Sequence, residues 1–364
     1  MKNKGVYIHI PFCKSICSYC DFCKVFYKKE WVVPYLKKLN NEIKDIYMDE
    51  VVDTIYIGGG TPSSLSINEL KVLFKIIERF NLDSNFEFTF ECNLNDINEE
   101  LLDFLKYNGV NRLSIGIETF NPIIQKIINR NHSFDEARKK IELCRSKGFN
   151  NINLDLIYGF KEQTLNSLKK DLKLFMKLSP EHISTYSLIL EENTILKHEN
   201  YENCSEDLDF EMYEYICKYL KKKKFIHYEI SNFAKAGYEA KHNLKYWNNE
   251  EYYGFGLGAS GYVDEVRYTN TRSLKDYLEK EDISNKELLT KKDIMDNELM
   301  LGFRKINGIN INDFYNKYNV NIEDVYPIKP LLKNKDLILK DNNLIINPQK
   351  IYVMNEILIK LIWL

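Results

Sequence analysis

The chain has 364 residues, with 51 Lys and Arg against 53 Asp and Glu and a formal charge of −2. This balance removes the bulk electrostatic case for a nucleic-acid partner, and the length allows a large core and two domains. Eight cysteines without a secretory leader point to a reducing cytoplasm rather than a disulfide framework, and no apolar run approaches the ~20 residues of a membrane span.

In chain order, Val6–Ile10 is a short apolar strand that leads into a loop carrying Cys13, Cys17 and Cys20. Trp31–Ile46 has helical spacing, with Leu36, Leu39 and Ile43 on one face. Val51–Ile57 is a strand ending at Gly58-Gly59-Gly60, and Ile67–Phe80 is the next helix. Strands follow at Phe86–Glu91, Leu113–Ile117, Asn151–Ile157 and His182–Leu188, with helices at Glu99–Tyr107, Phe134–Lys147, Leu165–Leu178 and Asp207–Lys222. Six strands, each followed by a helix, imply an α/β fold with a parallel sheet, because parallel neighbours need a crossover. Periodicity does not separate an open sheet from a curved partial barrel, but either places the ligand at the carboxyl ends of the strands. Beyond about residue 235 the pattern changes. A Gly- and Tyr-rich stretch is followed by a helix over Lys291–Phe303, a hairpin of Leu337–Leu339 and Leu344–Ile346, and an apolar terminal helix over Ile351–Leu364. This reads as a smaller helical domain with a β-wing.

Cysteines spaced by four and then three positions let one loop wrap an iron–sulfur cluster, with three thiolates on three irons and the fourth iron open. The competing readings are buried structural cysteines and a zinc site completed by His9. Such density in one loop rarely serves packing, and zinc cysteines usually come as two separated pairs. Gly58-Gly59-Gly60-Thr61-Pro62 is a turn at which backbone can approach a ligand closely. It is not a phosphate loop, since no Gly-Lys-Ser/Thr follows. Gly256–Gly261 formally matches a dinucleotide fingerprint but lacks a following helix, because Val263–Thr269 looks extended. Glu91, Glu118, Arg130 and Asp155 fall near strand ends or in the segments after them. His242-Asn243-Leu244-Lys245-Tyr246-Trp247 puts an imidazole beside two large aromatics, which suits either a satisfied structural His or a haem ligand. Cys23, Cys92, Cys144, Cys204 and Cys217 read as ordinary thiols.

These motifs, in this order and nearly end to end, resemble the radical S-adenosylmethionine (SAM) superfamily and, within it, the coproporphyrinogen oxidase-like branch. The clearest later stretch is Asn153-Leu154-Asp155-Leu156-Ile157-Tyr158-Gly159. The resemblance implies a partial (β/α)6 radical-SAM barrel over 1–235 and a HemN-like C-terminal domain over 236–364. It implies a [4Fe–4S] cluster on Cys13, Cys17 and Cys20, with SAM on the open iron. Tyr7 and Tyr19 would flank the cluster, Gly59, Gly60 and Thr61 would form the glycine turn, and Glu91, Arg130 and Asp155 would meet SAM's diol, ammonium and carboxylate. At position 118 the family usually has Gln, and this chain has Glu118.

Two features separate the branch's haem chaperones from its oxidases. The oxidases carry a fourth Cys two residues after the third, where this chain has Phe22, and an extension before the first strand. The His-Asn-x-x-Tyr-Trp stretch resembles the chaperones' haem-binding motif, which makes His242 the expected haem ligand. The implied function is to bind haem as cargo and deliver it to haem-requiring respiratory proteins, with peripheral membrane association and a homodimer as expected companions. The alternative is an enzyme, an oxygen-independent coproporphyrinogen III oxidase that cleaves SAM to a 5′-deoxyadenosyl radical.

Overall fold

The structure, a computed structural model, describes residues 2–280 and 283–362. The six expected strands form: β1 (Lys4–Ile10), β2 (Val51–Gly59), β3 (Asn81–Asn93), β4 (Arg112–Glu118), β5 (Ile152–Tyr158) and β6 (His182–Ser187). They lie side by side in chain order, all parallel. The connecting helices are α1 (Lys29–Ile46), α2 (Ile67–Ile77), α3 (Glu99–Tyr107), α4 (Phe134–Ser146) and α5 (Leu165–Lys177), and α6 (Glu206–Lys222) follows β6. Ser66 with Glu69 and Ser133 with Glu136 form capping boxes that start α2 and α4. β3 begins earlier than the expected Phe86. Asn81 and Leu82 pair with Val51 and Val52, so ladder formation overrides the loop-like composition of that stretch.

Alternation along these strands sorts the two faces of the sheet. Val6, Ile8, Ile55, Ile57, Phe88, Phe90, Leu113, Ile115, Ile152 and Leu154 join Leu36, Leu39, Leu70, Leu102, Leu168 and Leu172 of the helices in one core. The intervening positions are polar and buried: His9, Thr54, Glu87, Thr89, Arg112, Ser114, Asn153, His182 and Ser184. Parallel strands covered on both faces usually read as continuous apolar runs. Here the second face is a polar interior, and the candidate site opens from it.

The sheet continues past residue 235. Beside β6 lie β7 (Ile226–His227) and β8 (Asn232–Ala234), antiparallel. Beside β1 lies β9 (Tyr252–Phe255), a further parallel strand, followed by the antiparallel β10 (Ser260–Val263), β11 (Val266–Asn270) and β12 (Ile283–Leu288). Tyr253, Phe255, Leu257 and Tyr277 pack into the barrel core. A second core gathers from Leu289 onward, with Leu299, Phe303, Phe314 and Ile357 under the wing. The wing is the expected hairpin, Leu337–Lys340 with Asn343–Ile346, joined by Ile309–Asn310. At the chain end a short 3-10 turn over Pro348–Val353 leads into a helix over Met354–Ile362; the rest of the expected terminal helix, Trp363 and Leu364, lies outside the described residues. The segment Gly256–Gly261 joins two strands. Glu42, buried, accepts from the Gly256 N–H at 3.0 Å, and the Tyr35 hydroxyl accepts from the Leu257 N–H at 3.0 Å, so this turn carries no nucleotide-binding helix. Among the described residues no helix is long and apolar enough to cross a membrane.

Candidate functional site

The cysteine loop leaves β1 and is closed at its neck. Phe12–Cys13 pairs in parallel with Val25–Phe26, and the Val25 and Tyr27 N–H groups donate to the carbonyls of Pro11 and Cys13, both at 2.8 Å. The loop is tied down from three sides. Asn129 Nδ2 donates to Ser15 Oγ and to the Ile16 carbonyl, the Leu196 N–H donates to the Ser18 carbonyl, and the Tyr19 hydroxyl donates to Glu118 Oε1 at 2.9 Å. Cys13 is buried, while Cys17 and Cys20 are half-exposed. Burial pushes the Cys17 thiol up to about 11, with Arg130 pulling the other way. Among the described residues no three His, Cys, Asp or Glu converge on a single ion. Thiolates on a cubic cluster each hold a different iron and need not converge.

His9 does not complete a zinc site. Its Nε2 faces the Cys23 carbonyl at 2.6 Å, so that nitrogen carries the proton, and its Nδ1 accepts from the Tyr7 hydroxyl at 3.0 Å. Burial lowers the imidazole to about 4. Tyr7 is therefore engaged with His9 beneath the loop. Cys23 is buried, and its Sγ contacts the Arg272 carbonyl at 3.6 Å.

The glycine turn docks directly on this loop. The Gly60 N–H donates to the Ile10 carbonyl at 2.9 Å, and the Thr61 N–H to the Phe12 carbonyl at 3.0 Å. Thr61 Oγ1 donates to Cys13 Sγ at 3.4 Å. A Cβ at Gly60 would sit 2.6 Å from the Pro11 backbone and 3.0 Å from Cys13 Sγ, and Gly59 has a φ of +115°. Side chains at these positions would push the turn off the cysteines.

Glu91, Glu118, Arg130 and Asp155 are brought to the same polar interior. Glu91 Oε1 accepts from the Tyr56 hydroxyl at 2.6 Å and Oε2 from the Gly59 N–H at 3.0 Å. Burial raises this carboxyl to about 7. Asp155 lies mid-strand rather than at a strand end. It accepts from Asn153 Nδ2 at 2.8 Å, with Ser114 Oγ at 3.5 Å, and burial raises it as well. Glu118 ends β4 with a φ of +62°. Its Oε1 takes both the Tyr19 hydroxyl and Arg130 Nη2 at 2.9 Å, so the charge added by Glu in place of Gln is neutralised by Arg130. Glu118 Oε2 and Arg130 Nε are buried without a partner. A soft three-thiol loop, a turn that admits only glycine beside it, and orphaned acidic and basic atoms fit an iron–sulfur cluster with a ligand that has cationic and anionic groups.

His242 stands elsewhere. It opens α7 (Lys241–Trp247), which packs against the opposite, N-terminal end of the strands. Glu87 accepts from the N–H groups of Lys241 and His242. The imidazole is 1% exposed. Its Nδ1 pairs with Thr54 Oγ1 at 2.9 Å and its Nε2 with the Tyr246 hydroxyl at 2.7 Å, and burial lowers it to about 3. In this structure the expected haem ligand is a satisfied structural residue, because both ring nitrogens are used inside the protein.

Sequence reasoning did not single out Tyr56, Asn153, His182 or Arg112. Asn153 Oδ1 pairs with His182 Nδ1 at 2.6 Å and His182 Nε2 with the Tyr228 hydroxyl at 2.7 Å. Arg112 is 2% exposed. Its Nη1 reaches Thr89 Oγ1 at 3.4 Å and its Nε has no partner, and its charge holds down Glu91 and Asp155. The available signal was the polar residue at every second position of otherwise apolar strands.

Comparison with known proteins gives concordant matches. The model of the radical SAM superfamily matches residues 7–175. The haem chaperone HemW of Lactococcus lactis is 40% identical over 333 residues, 89% of this chain and 88% of that protein. HemW of Bacillus subtilis is 39% identical over 344 residues, 89% of each chain. Among solved structures, the radical SAM enzyme coproporphyrinogen III oxidase HemN of Escherichia coli superimposes with a TM-score of 0.86 at 20% identity, over 99% of this chain and 90% of that one. That likeness shows the partial-barrel fold.

Proposed function

The chain belongs to the radical SAM superfamily and, within it, to the family of the haem chaperone HemW, and from that membership we propose that it binds haem and hands it to haem proteins, with a [4Fe–4S] cluster and SAM at the barrel mouth. The observation that carries the radical-SAM part is the docking of the glycine turn on the cysteine loop, with Thr61 on Cys13. Cys13, Cys17 and Cys20 are its cluster ligands. Tyr7, Tyr19, Gly59, Gly60, Thr61, Glu91, Glu118, Arg130 and Asp155 form its SAM site. When bound, the cluster would offer SAM an open iron site and could supply it an electron, the chemistry the oxidase alternative would use. The protein's own groups orient SAM: carboxylates face its cationic and hydroxyl groups, Arg130 faces its carboxylate, and Asn153 keeps Asp155 aimed. Phe22 at the place of a fourth cysteine favours chaperone over oxidase. Haem ligation by His242 requires the imidazole to give up its bond to Thr54 at Nδ1 or to Tyr246 at Nε2. Hand-over to respiratory proteins, by peripheral membrane contact or as a homodimer, is the finer part of the proposal and rests on the family resemblance.

Anaerobic reconstitution followed by parallel assays of haem binding and coproporphyrinogen conversion tests the reading. Haem uptake without porphyrinogen turnover is expected; turnover by protein that takes up no haem would make it an oxidase. Asp155→Ala should retain iron and weaken SAM binding about 10–100-fold, the worth of one hydrogen bond to a charged group; unchanged affinity by equilibrium titration would remove Asp155 from the site. Glu118→Gln keeps an acceptor for Tyr19 but strips Arg130 of its counter-charge, and a half-broken buried pair is costly. The SAM-free variant should melt lower than wild type, and SAM should raise its Tm by more than it raises that of wild type, because the ligand's carboxylate replaces the lost charge. Equal shifts would show that Arg130 does not meet that carboxylate.

A further inference from the structure

We propose that Tyr56 is a positioning residue that holds Glu91 against the glycine turn, a role that rests on the SAM site proposed above. Tyr56 and Thr89 are register partners on β2 and β3, so Glu91 lies one step further along the same face. The carboxylate is tied at both oxygens: Oε1 takes the Tyr56 hydroxyl at 2.6 Å, and Oε2 takes the Gly59 N–H at 3.0 Å. The pair fills space that a side chain at Gly58 would need. A Cβ there would lie 2.7 Å from both Tyr56 Cε1 and Glu91 Cδ. The Tyr56 ring is itself held between Tyr7, with centroids 6.0 Å apart, and His242, at 5.4 Å. With one oxygen released, the carboxylate can pivot about its remaining bond to Gly59 and no longer keeps one fixed orientation against the turn.

The same arrangement sets the charge on Glu91. Burial, with Asp155, raises its carboxyl to about 7, against the opposing pull of the bonds from Tyr56 and Gly59 and of the Arg112 charge. The phenols of Tyr7, Tyr56, Tyr186 and Tyr246 also face it and stay neutral, raised by burial and by Glu91. Removing the Tyr56 hydroxyl removes a bond to the ionised form, so the carboxyl must rise further. Cationic groups of SAM bind the ionised form better. Affinity should therefore fall as pH drops through this pKa, and the fall should begin at higher pH without the hydroxyl.

The test is equilibrium binding of SAM to reconstituted protein across the neutral pH range, with iron measured alongside. Tyr56→Phe, which deletes one oxygen and keeps the packed ring, should retain iron, weaken binding about tenfold or more at neutral pH, and move the midpoint of the pH profile upward. Glu91→Gln, which cannot ionise, should bind weakly with that midpoint absent. A Tyr56→Phe curve that superimposes on wild type would overturn the proposal, as would weaker binding with an unmoved midpoint, the signature of looser packing alone. A midpoint that persists in Glu91→Gln would equally overturn it. Wild-type protein that holds its cluster but never binds SAM would instead overturn the site itself.

Discussion

Replacing Cys13, Cys17 and Cys20 together by alanine should abolish iron binding and brown colour after anaerobic reconstitution, against about four irons per wild-type chain. The neck bonds of Pro11 and Cys13 to Val25 and Tyr27 are made by backbone, as is the contact of Leu196 with Ser18, and the Asn129 side chain holds the Ile16 carbonyl without any thiol. The loop therefore keeps its path without the thiols, and the loss should read as lost chemistry rather than unfolding. Cys23→Ala is the matched control. Its thiol is buried and faces the Arg272 carbonyl, with Gly258 packed so closely that a Cβ there would lie 2.8 Å from Cys23 Cβ. That variant should keep iron and colour. A triple variant that stayed brown with full iron would sink the assignment, and loss of iron in Cys23→Ala would draw a fourth thiol into it.

Much of this site was legible because chemistry and turn geometry leave local traces in sequence. Three cysteines in one loop and three glycines after a strand are such traces, and both landed at strand ends of the expected parallel sheet. The six strands were found because their apolar outer positions repeat, as Val6-Ile8-Ile10 and Leu113-Ile115-Ile117 do. What was not legible depends on contacts distant in sequence. Tyr252–Phe255 was grouped with the C-terminal domain because of its composition, yet its partner is β1, some 245 residues earlier. The early start of β3 depends on Val51 and Val52 in the same way. Arg112 and His182 begin strands in the sequence and carry no local mark of a site, although each occupies an inward position among buried polar neighbours. The motif at 242–247 was read for its side-chain types. Its real environment is set by Thr54 and Glu87, which no local pattern connects to it.

That environment makes His242→Ala the second variant of large expected effect. The substitution empties a buried ring site and leaves the hydroxyls of Thr54 and Tyr246 without the partners they now have. Each such loss costs roughly 1–3 kcal/mol when buried, and the cavity adds to it, so the haem-free protein should lose about 3–5 kcal/mol in urea unfolding. The Tyr56 ring, 5.4 Å from the imidazole, loses its support at the same time. A pure haem ligand predicts a different result, with unchanged stability without haem and a shifted, weakened Soret band with it. Both measurements on one preparation separate the roles. Lost stability with a normal Soret band assigns His242 to the barrel floor and moves the iron ligand elsewhere. Wild-type stability with a lost Soret band would show that the imidazole contributes little where it now sits and leaves it for the cargo. Loss of both is the outcome expected of a residue that closes the floor in the empty protein and is released when α7 opens to haem.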